Sequence, residues 1–280
     1  MSEPNPSDPY TPAIHLLFTE SVLQIPENQR LAERLTSIEV SKDNEDVQVS
    51  WSVQDAESCL GTCRFGDHTI QIIGLGEPLP SDVVDRTIQV THWQPQIKAA
   101  MRQHRAYLTL VYAGSHPDPI EKMLALYKLA HALANENLVG IANAPAWTAH
   151  PIGEFLSPEK ILSYRRSFPF MLWIGYIKFY VDKDRYWWGT KGHHIFDVPD
   201  LACFVGSEKE SAGVTDQFAN IFYYLYGNDV AVTAGDTLQI DQTEAYMQFS
   251  EVPENAEYLM GPSGTLVIEA INPENAASAD

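Results

Sequence analysis

The sequence predicts an α+β protein made of two packed sheet-plus-helix units. Its 280 residues suit one large domain or two modest ones at roughly 150 residues each, and 45% of them are hydrophobic. Strand and helix patterns follow the order β-α-(β)-β-β-α-β-α-β in the first half and α-β-β-β-α-β-β-β in the second. A ferredoxin-like order fits inside the first half, so tandem ferredoxin-like halves are the specific arrangement predicted. The units are expected at 12–145 and 146–272, between disordered tails at 1–11 and 273–280.

Alternating apolar residues and turn signals predict the strands of the first unit. They are expected at 13–19, 47–52, 58–64, 68–75, 106–112 and 138–142. One helix is expected after Pro26, because Leu31 and Leu35 recur at helical spacing, and another at 97–104.

The clearest helix of the chain begins at Pro119. Asp118 is a good N-cap, proline suits the first helical position, and Glu121 is expected to complete a capping box. Apolar residues at helical spacing continue to Ala134, so the helix is expected to bury one face.

A proline-rich connector at 143–155 leads into the second unit. Helices are predicted at 157–166 and 214–226 from their apolar spacing, and a glycine-containing loop at 189–199. The strands of this unit are expected at 170–181, 185–188, 201–205, 238–241, 246–250 and 264–270.

The net charge of −19 excludes some partners and suggests others. Nucleic acid and anionic lipid both require clustered Lys and Arg, so neither is predicted as a partner. The charge is uneven along the chain: it is −8 over 1–150, +1 over 151–206 and −12 over 207–280. The last segment contains 13 acidic residues and one basic residue, Lys209. One interpretation is a solvated face that keeps the protein soluble; the other is an acidic surface for a basic protein partner.

The sequence also predicts a cytoplasmic location. The first twelve residues contain four prolines but no basic residue and no apolar stretch, so no signal peptide is expected. No apolar run approaches the ~20 residues that a membrane helix needs. The three cysteines are an odd number, which argues against a secreted disulfide framework.

No sequence motif assigns an enzyme class or a cofactor. The chain has no phosphate-binding GxxxxGK[ST] loop, no GxSxG elbow, no HExxH, no CxxC and no PCxxC. An enzyme is therefore not favoured, and no cofactor is predicted.

The densest cluster of chemically versatile side chains lies at 186–200. The candidate ligand or partner residues are Trp187, Trp188, Lys191, His193, His194, Asp197 and Asp200. Such a mix can supply an aromatic platform or a base, and His193, His194 and Asp197 are weak candidates for metal ligands. The alternative is structural: a strand ends in a glycine turn, and the two aspartates bind backbone amides.

The same stretch carries a resemblance to a known family. The residues that carry it are Phe168-Pro169, Leu172-Trp173, Gly189-Thr190-Lys191-Gly192, Phe196, Pro199-Asp200-Leu201 and Gly235-Asp236-Thr237. With them, residues 168–250 resemble an uncharacterised bacterial family, the domain of unknown function 4261. This resemblance implies a bacterial cytoplasmic α+β protein and brings no activity, cofactor or catalytic residue with it.

Three functions follow as hypotheses, in this order. The first is a non-enzymatic protein-binding module, inhibitor-like or immunity-like, that uses the acidic C-terminal surface to bind a basic protein. The second is a structural or assembly module, in which Trp187 and Trp188 form a contact between copies of the chain. The third is an enzyme or ligand-binding protein that uses the Trp187–Asp200 loop.

Overall fold

The computed structural model of the chain describes residues 11–38, 47–207, 210–240 and 245–271. Helices and two sheets occur together, which confirms the predicted α+β class. The chain divides into two compact units: unit 1 ends at Trp173 and unit 2 begins at Ile174. The tails predicted at 1–11 and 273–280 lie outside the described residues, apart from Thr11.

Unit 1 combines a seven-stranded sheet with six α-helices among its described residues. The strands are β1 (Ala13–Phe18), β2 (Gln48–Gln54), β3 (Ser58–Phe65), β4 (His68–Leu75), β5 (Ala106–Tyr112), β6 (Leu138–Asn143) and β7 (Thr148–Pro151). The helices are α1 (Asn28–Thr36), α2 (Ser81–Val84), α3 (Pro95–Arg102), α4 (Pro119–Leu133), α5 (Pro158–Ser163) and α6 (Phe170–Trp173). A π-helical turn (Asp85–Gln89) and a 3-10 turn (Glu154–Leu156) join them.

The strand order of unit 1 is β2-β3-β4-β5-β1-β6-β7, with every neighbouring pair antiparallel. Along the chain, β1 leads through α1 into the consecutive strands β2, β3 and β4. The segment with α2 and α3 joins β4 to β5, α4 joins β5 to β6, and β2 and β7 lie at the two edges of the sheet. α4 is buried along most of its length because it packs against β1 and β5 on one side and against α1 and α5 on others. This packing sets its first turn beside the β3-β4 hairpin.

Unit 2 contains a six-stranded sheet and one long helix among its described residues. The strands are β8 (Gly175–Tyr180), β9 (Tyr186–Lys191), β10 (Asp200–Val205), β11 (Thr237–Ile240), β12 (Ala245–Glu251) and β13 (Thr265–Ile271); the helix is α7 (Val214–Asn228). Their order is β11-β12-β13-β10-β9-β8, and β10 runs parallel to β13. Two 3-10 turns, His193–Phe196 and Glu254–Leu259, follow β9 and β12.

The two faces of this sheet are covered differently. On one face, Phe218 of α7 stacks on Tyr176 of β8, with ring centroids 6.4 Å apart. On the other, the 254–259 turn packs against Ala202 and Val267. Ala202 lies in register with Gly189 and Ile177, so these three residues share one face of the sheet. Tyr176 is the chain neighbour of Ile177, and side chains alternate along a strand, so Tyr176 lies on the opposite face. The helix α7 and the 254–259 turn therefore cover opposite faces.

Tandem ferredoxin-like halves are not confirmed, because the two sheets differ in strand order and, among the residues that the structure describes, only the second contains a parallel pair. The division after Trp173 also differs from the expected boundary at residue 145. β7 pairs with β6, and α5 packs on α4, so these later elements belong to unit 1.

The strand predicted at 170–181 is correct only from Gly175 onward. Residues Phe170–Trp173 form a helical turn instead, with the amides of Leu172 and Trp173 donating to Pro169 O. Trp173 is fully buried against the rings of Tyr127 and Tyr164, so packing explains its apolar character.

No helix among the described residues is long and apolar enough to cross a membrane.

Candidate functional site

The structure places the predicted 186–200 cluster on β9, the 3-10 turn after it and the first residue of β10. Four of its candidate residues are buried (Lys191, His193, His194 and Asp200), two are half-buried (Trp187 and Trp188), and Asp197 is exposed. The seven residues therefore do not form one common surface.

Lys191 ties the end of β9 to the 254–259 turn. Its Nζ donates to Leu259 O at 2.6 Å and to Met260 O at 3.0 Å. Burial lowers the pKa of Lys191, and the nearby Asp200 carboxylate raises it. The last carbonyls of a helical turn attract a cation, so this ammonium stabilises the turn against the sheet.

Asp200 binds backbone and side-chain donors at the start of β10. Its Oδ1 accepts from the His193 amide at 3.2 Å and from Thr190 Oγ1 at 3.4 Å, while Oδ2 has no hydrogen-bond partner among the described residues. Burial raises the pKa of Asp200 to about 7, although the Lys191 charge lowers it. A Cβ atom at Gly261 would overlap Oδ2, so a larger residue there would force the Asp200 carboxyl or the backbone of the turn to shift. The amide contact at Asp200 agrees with the structural alternative.

The two adjacent histidines are held as neutral rings in the interior. His193 Nδ1 donates to Pro199 O at 3.1 Å, and its ring lies 5.0 Å from that of Phe222. Burial lowers the pKa of His193 and of His194 to about 4. Asp197 is exposed at the end of the 3-10 turn, with φ of 57°. Among the described residues no group of three His, Cys, Asp or Glu side chains is placed to hold a metal, so the weak metal candidates do not form such a set.

Trp187 belongs to a row of aromatic side chains on the face that the 254–259 turn covers. It lies in register with Phe179 and Phe204, and its ring is 5.2 Å from that of Phe204. Tyr258 continues the row, 5.4 Å from Phe179. We call these four residues the aromatic row. Phe204 and Tyr258 are 41% and 47% exposed, so the row presents apolar surface at both of its ends.

Carboxylates accompany the aromatic row. Glu254 and Glu257 are exposed on the same turn as Tyr258, and Glu269 is exposed on β13, two residues beyond Val267 on the same face. No Lys or Arg occurs anywhere in 245–271. This part of the acidic C-terminal segment therefore displays negative charge next to aromatic rings.

Trp188 faces the other side of the sheet and shows how a cation binds here. Lys178 Nζ lies 4.5 Å from the centre of its ring and 4.7 Å from that of Tyr186. These are cation–π distances.

A second candidate site, which the sequence did not predict, lies in unit 1. A cavity of about 360 Å³ is lined by the β3-β4 hairpin, the loop before α4, one face of α4 and Arg165 after α5. Its polar lining residues are Asp67, His68, His116, Glu121, Lys128 and Arg165. We call it the α4 pocket.

Local hydrogen bonds orient the two imidazole rings of the α4 pocket. His116 Nδ1 accepts from the Asp118 amide at 3.1 Å, and His68 Nδ1 lies 3.0 Å from Tyr112 Oη. The two rings are 5.4 Å apart. Rings that are fixed through Nδ1 in this way present Nε2 in a defined direction.

The expected capping box at α4 is wrong in one half. Asp118 Oδ1 accepts from the Ile120 amide at 2.8 Å, as an N-cap should, but the Asp118 amide is bonded by His116. Glu121 instead binds Arg165 through two contacts, including Oε2–Nη2 at 2.8 Å. Arg165 and, more weakly, Lys128 lower the pKa of Glu121.

Two signals of this pocket were in the sequence, and one was not. The turn between the strands predicted at 58–64 and 68–75 and the helix start at Asp118 were both expected, but nothing indicated that they meet. Arg165 joins Glu121 across 44 residues, a separation that no local pattern spans.

The three cysteines do not add a reactive group to either site. All are free and buried, and burial raises the pKa of Cys63 and Cys203 to about 12 and that of Cys59 to about 11. They stay protonated thiols at neutral pH, which are poor nucleophiles.

Comparisons with models of protein families, with curated proteins and with solved structures find nothing that matches this chain. The resemblance of residues 168–250 to the domain of unknown function 4261 therefore stays a prediction.

Proposed function

We propose that this chain is a non-enzymatic protein-binding module, inhibitor-like or immunity-like, whose second unit binds a basic protein. The observation that carries the proposal is the aromatic row with Glu254, Glu257 and Glu269 beside it. Aromatic rings supply contact area at low entropic cost, and they are enriched among the residues that dominate binding energy. The carboxylates select for Lys and Arg on the partner.

The chemistry of recognition would combine ion pairing with cation–π contact. A partner Arg or Lys over Tyr258 or Phe204 gains about 0.5–2 kcal/mol, more as water is excluded. Lys178 over Trp188 is an example of that contact within the same unit. Attraction between an acidic surface and a basic partner also raises the association rate and weakens as salt is added.

The test is affinity purification on the immobilised full chain at low salt, with matched variants. Phe204→Ser with Tyr258→Ser removes the exposed ends of the aromatic row. Tyr223→Ser with Tyr224→Ser removes two comparably exposed aromatics of α7 and is the control. We expect the immobilised wild type and the control variant to retain basic proteins, and the aromatic-row variant to lose them.

A second pair of variants isolates the charge. Glu254, Glu257 and Glu269 are changed together to Gln; the control makes the same change at the exposed Glu33, Glu57 and Glu136 of unit 1. Equal retention by the two triple variants would contradict the proposal. Concentration-dependent dimerisation that the aromatic-row variant abolishes would overturn it in favour of the assembly hypothesis.

A further inference from the structure

The 254–259 turn carries one ring of the aromatic row and is tied to the sheet by polar contacts at its end. Lys191 Nζ donates to Leu259 O at 2.6 Å and to Met260 O at 3.0 Å. The Thr265 hydroxyl also donates to Leu259 O, at 2.8 Å. A change that weakens these contacts would therefore shift a ring on which the protein-binding proposal depends.

The Asp200 carboxyl lies against the backbone that follows this turn. The Asp200 amide donates to Gly264 O at 3.2 Å, and Oδ2 lies so close to Gly261 that a Cβ atom there would overlap it. Oδ2 has no hydrogen-bond partner among the described residues, and Asp200 is only 1% exposed. A carboxyl oxygen enclosed in this way favours the protonated form, because a charge there would lack both water and a donor.

The charged and titratable side chains around Asp200 are either enclosed with it or exposed to solvent. Those enclosed are Lys191 of β9 and His193 and His194 of the 3-10 turn. Those exposed are Asp197 of the same 3-10 turn, Glu254, Glu257 and Tyr258 of the 254–259 turn, and Glu269 of β13. From α7 the Phe222 ring, which does not titrate, packs on His193. Solvent screens the exposed charges, so the Lys191 ammonium is the main charge that Asp200 meets in the interior.

We propose that Asp200 and Lys191 form a proton-controlled latch, which holds the 254–259 turn and the aromatic row in place while Asp200 is protonated. On ionisation Oδ2 requires a donor, and the sources are water entering beneath the turn or the ammonium of Lys191. Either response weakens the contact of Lys191 with the two carbonyls of the turn. The latch rests on the proposed function only for its consequence, which is partner binding that falls as pH rises.

Proton linkage gives the direction of the effect. Burial raises the pKa of Asp200 to about 7 while the turn is in place, although the Lys191 charge lowers it. In a released turn the carboxyl is hydrated and titrates near its ordinary value of ~3.9, so rising pH favours release. Above pH 7 the released fraction should grow up to about tenfold per pH unit.

The two enclosed histidines set the lower limit of the pH range for a test. Burial lowers the pKa of His193 and of His194 to about 4, so falling pH also favours release. This second effect is confined to pH values below about 7, because a hydrated histidine has a pKa near ~6.5. A titration from pH 7 to pH 9 therefore isolates Asp200.

Amide hydrogen exchange of the full chain, corrected at each pH for the intrinsic rate, tests the latch. The reporters are the amides of Met260 and Gly261, which donate within the 254–265 segment. The control is the amide of Leu225, which lies inside α7 of the same unit. We expect the protection of the reporters to fall up to about tenfold per pH unit above pH 7, while that of Leu225 stays constant. Constant protection of both reporters would overturn the proposal.

Variants assign the effect to its residue. Asp200→Asn keeps the shape of the side chain but cannot ionise, so its reporters should keep constant protection from pH 7 to pH 9. Asp197→Asn changes the exposed aspartate of the 3-10 turn and should reproduce the wild-type profile. Lys191→Met should lower reporter protection severalfold already at pH 7. An equal fall in the wild type and in Asp200→Asn would overturn the latch; if Leu225 shows that a variant is unfolded, the wild-type profile decides.

Retention of basic proteins separates the latch from the proposed function. Basic proteins that the immobilised wild type retains at pH 7 should be released at pH 9, whereas Asp200→Asn should keep them. Retention at both pH values with constant reporter protection would overturn the latch and leave the proposed function standing. Release of the turn above pH 7 without retention of any basic protein would support the latch and overturn the proposed function.

Discussion

Lys128 of unit 1 and Lys191 of unit 2 are each only 4% exposed, yet they have different surroundings. Lys191 donates to two backbone carbonyls, those of Leu259 and Met260, and lies beside a buried aspartate. Lys128 lines a cavity together with two histidines and an arginine. Burial of a charge therefore does not by itself mark a functional site, because the same low exposure occurs against backbone carbonyls and beside a cavity.

The comparison predicts that changes around Lys191 cost more stability than changes around the α4 pocket. Four substitutions test this division.

Lys191→Met should have the largest effect. It removes the ammonium that donates to Leu259 O and Met260 O, so that Leu259 O retains the Thr265 hydroxyl as a donor, and it leaves the Asp200 carboxyl without its neighbouring cation. Hydrogen bonds to a charged group are worth about 1.5–3 kcal/mol each, and Lys191 makes two of them, so the loss of unfolding free energy should be several kcal/mol. The control is Lys183→Met in the exposed β8-β9 turn, which should change stability by no more than about 0.5 kcal/mol. Urea denaturation measures both; similar values would remove the scaffold role of Lys191.

Gly261→Ala should have the next largest effect on stability. The added methyl group would overlap Asp200 Oδ2, and overpacking of this kind costs about 1–3 kcal/mol. Gly227→Ala on α7 is the control, because its Cβ would meet no atom within 4 Å. Alanine favours helix, so the control should gain up to about 1 kcal/mol. A thermal melt that ranks the two in the opposite order would contradict close packing at Asp200.

Asp200→Asn tests the pH dependence of the scaffold. The pKa of Asp200 is raised to about 7 in the folded chain, so its contribution is fully present below the ordinary Asp range and is lost as pH rises toward 7. The wild type should therefore lose stability relative to Asp200→Asn by up to ~1.4 kcal/mol per pH unit over that range. His193 and His194 act in the opposite direction, losing their contribution as pH falls toward about 4, and both are present in the variant.

The measurement for Asp200 is the difference in unfolding free energy between wild type and variant at several pH values. A constant difference from pH 4 to pH 8 would show that Asp200 is already ionised throughout this range.

Arg165→Gln should have the smallest effect on stability. Its side chain is 43% exposed, and exposed ion pairs contribute about 0.2–1 kcal/mol. The contribution of the pair should disappear in acid, because the pKa of Glu121 is lowered and protonation removes its charge. Urea denaturation of Arg165→Gln, with Arg166→Gln as the reference variant, measures the contribution of the ion pair to the unfolding free energy. A loss of unfolding free energy as large as that of Lys191→Met would show that the Glu121–Arg165 ion pair stabilises the fold as strongly as Lys191 does.

Local patterns were sufficient for many individual elements. β5 was predicted at its observed bounds because an apolar, β-branched segment such as Ala106–Tyr112 suits a covered strand. The start of α4 was also correct, since Asp118 and Pro119 have strong local preferences. At Phe170–Trp173 the apolar pattern led to the wrong prediction of a strand, because apolar residues suit a buried helical turn as well as a strand.

The candidate sites were predicted only in part. The 186–200 segment was correctly recognised as unusual, but four of its residues face the interior, and exposure cannot be read from residue type. The aromatic row combines residues from β8, β9, β10 and a later turn, so strand pairing had to be known before it could be seen.

The sequence by itself determined the α+β class, the acidity of the C-terminal segment and most strand and helix positions. These properties depend on composition and on residues within a few positions of one another. Only the tertiary structure decided that Lys191 and Asp200 are enclosed, and that His68, Glu121 and Arg165 meet around a cavity. Such contacts join residues dozens of positions apart, and desolvation, which sets their charge states, exists only once the chain has packed.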